Sequence, residues 1–305
     1  MRSITAVTLF LFTVLGATAS HATYTWTTLD HPSATAGTSL TGIDGANMVG
    51  SYTDSSGEHG TLWDGSSWHT LDHPSATGGT YLRGIDGTNM VGYYTDSSGH
   101  HGTHYDGSTW ATLDHPSATR THLYGIDGAN MVGSYTDSSG EHGTLWDGSS
   151  WHTLDHPSAT AGTSLFGIDG ANMVGYYEDS SFNSHGTHYD GSTWTTLDHP
   201  SATAGTSFLY GIDGANMVGA YTDSSISFNS HGTHYDGSTW TTLDHPSATA
   251  GTYLRGIDGA NMVGSYTDSS GIHGFMVTAT SPVPEPATLL LALFGLSLLP
   301  RRRRR

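Results

Sequence analysis

The chain has 305 residues, no cysteine, a formal net charge of −18 and nine basic residues, all of them arginine. Disulfides and thiolate metal sites are therefore excluded, and so acidic a body repels nucleic-acid backbones and anionic lipid headgroups. Only 35% of residues are hydrophobic, yet there are 41 Gly, 16 Tyr and 8 Trp, a mixture that suits many short strands joined by tight turns. At the N-terminus, Arg2 precedes an apolar stretch from Ile4 to Gly16 that is short for a membrane span. The small residues Ala17-Thr18-Ala19 and Ser20-His21-Ala22 follow. Residues 1–22 are read as a secretory signal peptide, with cleavage after Ala22, immediately before the repeats begin.

Internal repetition fills residues 23–277. Leu-Asp-His-Pro starts at Leu29, Leu71, Leu113, Leu154, Leu197 and Leu243. Gly-Ile-Asp-Gly starts at Gly42, Gly84, Gly125, Gly167, Gly211 and Gly256. Successive spacings are 41 to 46 residues, a length seen for four-stranded propeller blades. One repeat reads as strands over Thr38–Asp44, Asn47–Thr53, His59–Trp63 and Trp68–Asp72, separated by Asp-Gly and Asp-Ser-Ser-Gly turns. The mature chain opens with a spare fourth strand, Tyr24–Asp30, and closes with three strands lacking a fourth: Thr252–Asp258, Asn261–Thr267 and His273–Val277. A ring closed by sharing one blade between the termini needs such a split. The expected fold is all-β, a six-bladed β-propeller of four-stranded blades whose last blade is completed by the N-terminal strand. Its core is expected from Ile43, Met48, Val49, Tyr52, Trp63, Trp68, Leu71 and their equivalents.

Sixfold repetition disfavours catalysis, which needs unlike groups converging in one place. In Asp30-His31-Pro32-Ser33 the adjacent Asp and His point to opposite faces, so the segment reads as a strand-ending turn and not a hydrolase triad. Of the 20 histidines two occur in every repeat, and equivalent ones on outer strands lie too far apart around the ring to converge on one ion, which gives no zinc site. Tyr105 to Trp110 has one residue too few between Asp and Trp for the Asp-box of glycan-active propellers. The inner strand lines the channel, so Asp44, Asp86, Asp127, Asp169, Asp213 and Asp258 ring one mouth. They read first as Asp-Gly turn residues, with a Ca²⁺ ring as the alternative and no other cofactor expected. One channel position differs between repeats, reading Thr41, Arg83, Tyr124, Phe166, Tyr210 and Arg255. Arg83, Tyr124, Phe166, Tyr210 and Arg255 are candidate ligand residues, able to stack on a sugar; drift at a tolerant position is the competing account.

After a Pro-rich linker with its motif (278–286) comes an apolar stretch, Ala287–Leu299, and then Arg301, Arg302, Arg303, Arg304 and Arg305. Residues 287–305 read as a short C-terminal membrane helix stopped by cytoplasmic charge. Pro284-Glu285-Pro286, the apolar stretch and the arginine cluster resemble the PEP-CTERM sorting signal of Gram-negative bacteria. That resemblance implies recognition and cleavage by a membrane exosortase after passage through the secretion machinery. The body would be released or attached at the cell surface or in the extracellular matrix, after transient inner-membrane anchoring by the C-terminus. Gly-Ile-Asp-Gly-Ala-Asn-Met-Val-Gly-Ser-Tyr-Thr-Asp followed by His273-Gly-Phe-Met-Val277 resembles the HAF-type extracellular repeats of bacteria, with Asp after Ile and with Thr in place of Phe in all but the last repeat. It implies export and brings no catalytic residues. The function read from the sequence is a non-catalytic surface or matrix protein binding extracellular polysaccharide multivalently, with no nucleic-acid partner. A glycan-active lyase or hydrolase and an inert spacer are the alternatives.

Overall fold

The computed structural model describes residues 23–203, 206–223 and 230–280. Thr25–Thr278 forms one compact unit. The expected cleavage site Ala22, the expected sorting residues Pro284, Glu285, Pro286 and Arg301 to Arg305, and the helix expected at 287–305 lie outside the described residues. Among the described residues no helix is long and apolar enough to cross a membrane.

The body is all β. Blade 1 consists of Gly37–Asp44, Asn47–Thr53, Glu58–Trp63 and Trp68–Thr70, antiparallel and paired in chain order. Blades 2 to 5 repeat it, with inner strands Gly79–Asp86, Arg120–Asp127, Gly162–Asp169 and Ser207–Asp213. Blade 6 has Gly251–Asp258, Asn261–Thr267 and Ile272–Thr280, and its fourth strand is Thr23–Thr28 from the start of the chain. The expected closure is thus present. Leu29 N–H donates to Gly274 O at 2.8 Å, and Gly274 N–H to the Asp30 carboxylate at 3.0 Å.

The fourth strand of blade 1 stops at Thr70, short of the expected Asp72. There the side chain replaces the backbone as partner: Asp72 Oδ1 accepts the Gly60 N–H at 3.1 Å.

Neighbouring blades share their cores. Val49 of blade 1 packs with Leu82, Ile85 and Met90 of blade 2, and Val263 of blade 6 packs with Leu40, Ile43 and Met48 of blade 1. Each fully buried Val or Leu contributes about 1.5–3 kcal/mol. Trp63 and Trp68 are only partly buried and cover the outer edge of this cluster.

Two glycine positions set the geometry at the axis. A Cβ on Gly50 would stand 1.9 Å from Ser39 O. That space admits a β-bulge, in which Thr41 has no partner while Leu40 pairs Gly50 and Gly42 pairs Val49. A Cβ on Gly42 would lie 2.8 Å from Arg83 O, so adjacent inner strands meet backbone to backbone.

Placing a methyl at the equivalent of Gly50 is therefore predicted to break the fold locally. Gly133→Ala, whose Cβ would meet His122 O at 1.9 Å, should cost about 3 kcal/mol or more. Gly128→Ala, at φ +58° with open space around it, should cost only about 1 kcal/mol. Denaturant midpoints of the two variants check this; equal losses would contradict the packing described.

Candidate functional site

The six bulges place one unpaired residue per blade at the channel: Thr41, Arg83, Tyr124, Phe166, Tyr210 and Arg255. All six line a single cavity of about 300 Å³. The five candidate ligand residues are thus brought together, joined by Thr41. Tyr176 and Phe208 complete the lining. They were not singled out in the sequence, although they also sit where repeats differ. The pairs Tyr81–Tyr93, His122–Ser134, Ser164–Tyr176 and Phe208–Ala220 face each other across the first two strands, where blade 1 has Ser39 opposite Ser51. Variation at a cross-strand pair is the signal that finds them.

Around the ring, blade order gives Arg255, Thr41 and Arg83 on one side and Tyr124, Phe166 and Tyr210 on the other. The aromatic side is continuous: Phe166 lies 4.5 Å from Tyr124 and 5.1 Å from Tyr210 between ring centroids, and Tyr176 stands 5.1 Å from Phe208. On the cationic side, Arg255 lies over the Tyr210 ring at 4.6 Å and Arg83 over Tyr93 at 5.3 Å. Arg83 also donates to the Tyr93 hydroxyl at 3.1 Å. The Nε of each arginine is buried without a hydrogen-bond partner, and among the described residues neither guanidinium forms an ion pair. Thr41 donates its hydroxyl to Leu82 O at 2.9 Å.

Burial raises Tyr124 and Tyr210 above the ordinary phenol value, and burial with the nearby Glu141 pushes Tyr176 up to about 12. All three therefore remain neutral hydroxyls. Burial works against the charge on Arg83, but Tyr93, Tyr124 and Glu58 outweigh it and hold the guanidinium protonated. Behind Tyr124, His122 accepts or donates at 3.1 Å to the phenol and at 2.8 Å to His100. Its burial, with His100, Arg83 and Arg120 nearby, pushes it down to about 3, so it is neutral.

The six channel aspartates form a head-to-tail circle. Asp44 accepts the Gly87 N–H, Asp86 that of Gly128, Asp127 that of Gly170, Asp169 that of Gly214, Asp213 that of Gly259 and Asp258 that of Gly45, each at 2.7 Å. One oxygen of every carboxylate is thus committed to the next blade. Among the described residues no three acidic or histidine side chains come together as a metal-holding group. These aspartates act as ties between blades.

Two histidine classes emerge that the linear sequence did not separate. His31, His73, His115, His156, His199 and His245 are buried and stack on a tyrosine of the next blade at 3.7–3.8 Å. Each accepts the backbone N–H two residues on, as Ser33 N–H to His31 Nδ1 at 3.2 Å, and burial lowers the pKa of all six. The second class bridges two aspartates. His59 Nδ1 meets Asp72 at 2.7 Å, while Nε2 meets Ser56 Oγ at 2.9 Å and Asp54 at 3.3 Å.

Ser56, His59 and Asp72 have the connectivity of a hydrolase triad, and the same set recurs as Ser270, His273 and Asp30. The proton bookkeeping is wrong for one. Ser56 donates its hydroxyl proton to Asp54 at 2.6 Å, a shorter contact than the 2.9 Å to His59 Nε2, so the carboxylate and not the imidazole takes the serine's hydrogen bond. Burial lowers the His59 pKa, but Asp72 and Asp54 outweigh it and raise the net value. Asp30 does orient a histidine, His273 across the closure, and not its neighbour His31. The Asp106 segment is a turn: its carboxylate accepts the Ser108 and Thr109 N–H groups at 2.8 and 2.7 Å.

Other concavities carry less chemistry. A cleft between blades 6 and 1 at His31 and His273 holds about 140 Å³, below the ~300–1,000 Å³ usual for ligand pockets. A groove of about 490 Å³ between blades 4 and 5 is lined mainly by residues common to all repeats, such as Leu197, Gly214 and Met217, with no charged side chain.

No protein-family model and no curated protein matches the chain. Solved propellers do. The fucose-recognising lectin of Aleuria aurantia, a six-bladed β-propeller, is 13% identical with a TM-score of 0.53, covering 85% of this chain and 98% of its own. SapL1 lectin, solved with α-methyl fucoside, is 16% identical with a TM-score of 0.56, covering 82% and 97%. Trypanosoma rangeli sialidase is 11% identical with a TM-score of 0.51, covering 85% of this chain and 56% of its own. At these identities the likeness is one of fold.

The histidine classes predict opposite pH linkages. The buried six favour the neutral form, so their contribution is full above about 6.5 and is lost as pH falls through that value. Of the bridging class, His59, His101, His142, His185 and His273 have raised folded values, so they contribute fully below about 6.5 and lose that contribution as pH rises through the folded pKa. In His101 the hydrogen bond to Asp114 is the leading cause of the rise. Asp114→Asn should therefore destabilise by about 1 kcal/mol more at pH 5.5 than at pH 8.5. Paired thermal melts test this, and a pH-independent difference would contradict it.

Proposed function

We propose that the chain is an exported, non-catalytic carbohydrate-binding propeller that takes a saccharide in the channel cavity. The observation that carries this reading is the aromatic wall of Tyr124, Phe166 and Tyr210, with Tyr176 and Phe208 behind it. Aromatic faces pack the apolar C–H face of a sugar ring, and neutral phenols supply hydrogen bonds at fixed positions. Its volume, about 300 Å³, suits one or two sugar units. The fold is shared with lectins solved with fucose-type ligands, which supports the carbohydrate class without naming the sugar. The asymmetric cavity favours one central site over multivalent binding at the small clefts between blades.

Export, sorting and a place at the cell surface or in the extracellular matrix rest on the sequence signals at both ends. The PEP-CTERM-like segment would hold the chain in the inner membrane until an exosortase cleaves it. Replacing Pro284, Glu285 and Pro286 with alanine is predicted to leave an unprocessed, membrane-associated chain, read by its size and fractionation. Normal processing of that variant would contradict this part of the reading.

For the binding site, Phe166→Ala is predicted to weaken saccharide binding by about tenfold or more, since it removes the centre of the wall. Its melting temperature should change little, because Phe166 is only partly buried. Screening the chain and the variant on an immobilised panel of neutral and acidic glycans tests this. Absence of binding to every glycan, or unchanged binding by the variant, would overturn it.

A further inference from the structure

Between residues 23 and 280 the chain has three basic residues, Arg83, Arg120 and Arg255, and no lysine. Two of the three line the same cavity. They belong to blades 2 and 6, on either side of Thr41, and so flank one sector of the ring opposite Phe166. Ion pairing does not account for this, since neither guanidinium forms an ion pair among the described residues. The Nε of each is buried without a hydrogen-bond partner.

Resting on the carbohydrate reading of this site, we propose that its ligand is an acidic saccharide unit whose carboxylate lies between Arg83 and Arg255 while its ring packs on Phe166 and its neighbours. The guanidinium fork matches the two oxygens of a carboxylate, and the charge-assisted bonds are strong in a shielded channel. Tyr81 and Tyr93 beneath Arg83, with Tyr210 and Tyr253 beneath Arg255, hold the guanidiniums in place by cation–π contact. The acidic exterior adds a second selection. A polyanion laid across the surface meets repulsion from many carboxylates. A single anionic unit inside the channel meets two arginines at contact distance, while the outer charges are screened over about 8 Å. The site thus selects one acidic sugar, presented at a chain end, over a uniformly charged polymer. Sulfate and phosphate esters share the anionic chemistry but not the planar two-oxygen geometry.

Titration calorimetry on the full chain with glucuronic acid, glucose and glucose 6-sulfate tests this. Glucuronic acid should bind at least about tenfold more tightly than glucose, and more tightly than the sulfate ester. Arg255→Gln and Arg83→Gln should each remove about tenfold of that preference, read as the ratio of glucuronic acid to glucose affinity within the same variant; two variants in separate blades guard against one misfolding. Equal binding of glucose and glucuronic acid, undiminished by either variant, overturns the acidic assignment and leaves the carbohydrate reading standing. Preference for the sulfate ester overturns the carboxylate assignment. Failure of every sugar to bind overturns both readings.

Discussion

Six inner strands meet at the axis so closely that a Cβ on Gly42 would lie 2.8 Å from the backbone of the next blade. This approach is stable only if all six strands hold one another at once, because each inner strand touches its neighbours on both sides: Gly37–Asp44 is flanked by Gly79–Asp86 and Gly251–Asp258, and so on around. The aspartate–glycine circle locks the mouth, and the shared Val–Leu–Ile–Met clusters fill the wedges between blades. The ring has no free edge there because the first strand of the body completes the last blade. Stability in this architecture comes from closure as much as from any single contact.

That constraint divides the repeat into residues that cannot change and residues that can. The axis glycines, the Asp-Gly turns, and the valines and methionines are the same in every blade because the ring demands it. The bulge residue is freed from the ladder and points into the channel, so its identity is not fixed by pairing. Variation therefore concentrates where it lines the cavity. Two arginines and three aromatics at one position, supported by Tyr81, Tyr93, His122, Tyr176 and Phe208 on the adjacent strands, turn a near-symmetric scaffold into a site with two unlike halves. The paired His, Asp and Ser groups on the outer strands recur in nearly every blade, and their geometry makes them ties.

Much of this was legible in the sequence, for identifiable reasons. Asp-Gly turns and a constant period revealed the blades, and the spare strand at one end with a missing strand at the other revealed the closure. The bulge position stood out because it was the variable residue before Gly-Ile-Asp. What stayed hidden were partners distant in the chain. The Asp72 carboxylate bonds His59 and not its neighbour His73, because a strand turns adjacent side chains to opposite faces. The aspartates of the mouth read as Asp-Gly turn residues, but the sequence did not show that each accepts the glycine amide of the next blade. Tyr176 and Phe208 were missed because they vary singly, on different strands, and only the register joins them into one wall.

Amide hydrogen exchange at the junction of blades 6 and 1 tests closure most directly. The Gly45 N–H, bonded to Asp258, and the Leu29 N–H, bonded to Gly274, exist as protected groups only in a closed ring. Gly45 should be protected to within about tenfold of Gly128 and Gly170, which make the same bond between internal blades, and Leu29 to the same degree relative to Leu113 and Leu154. Free exchange of Gly45 and Leu29, with their counterparts still protected, would show an open arc and contradict the account.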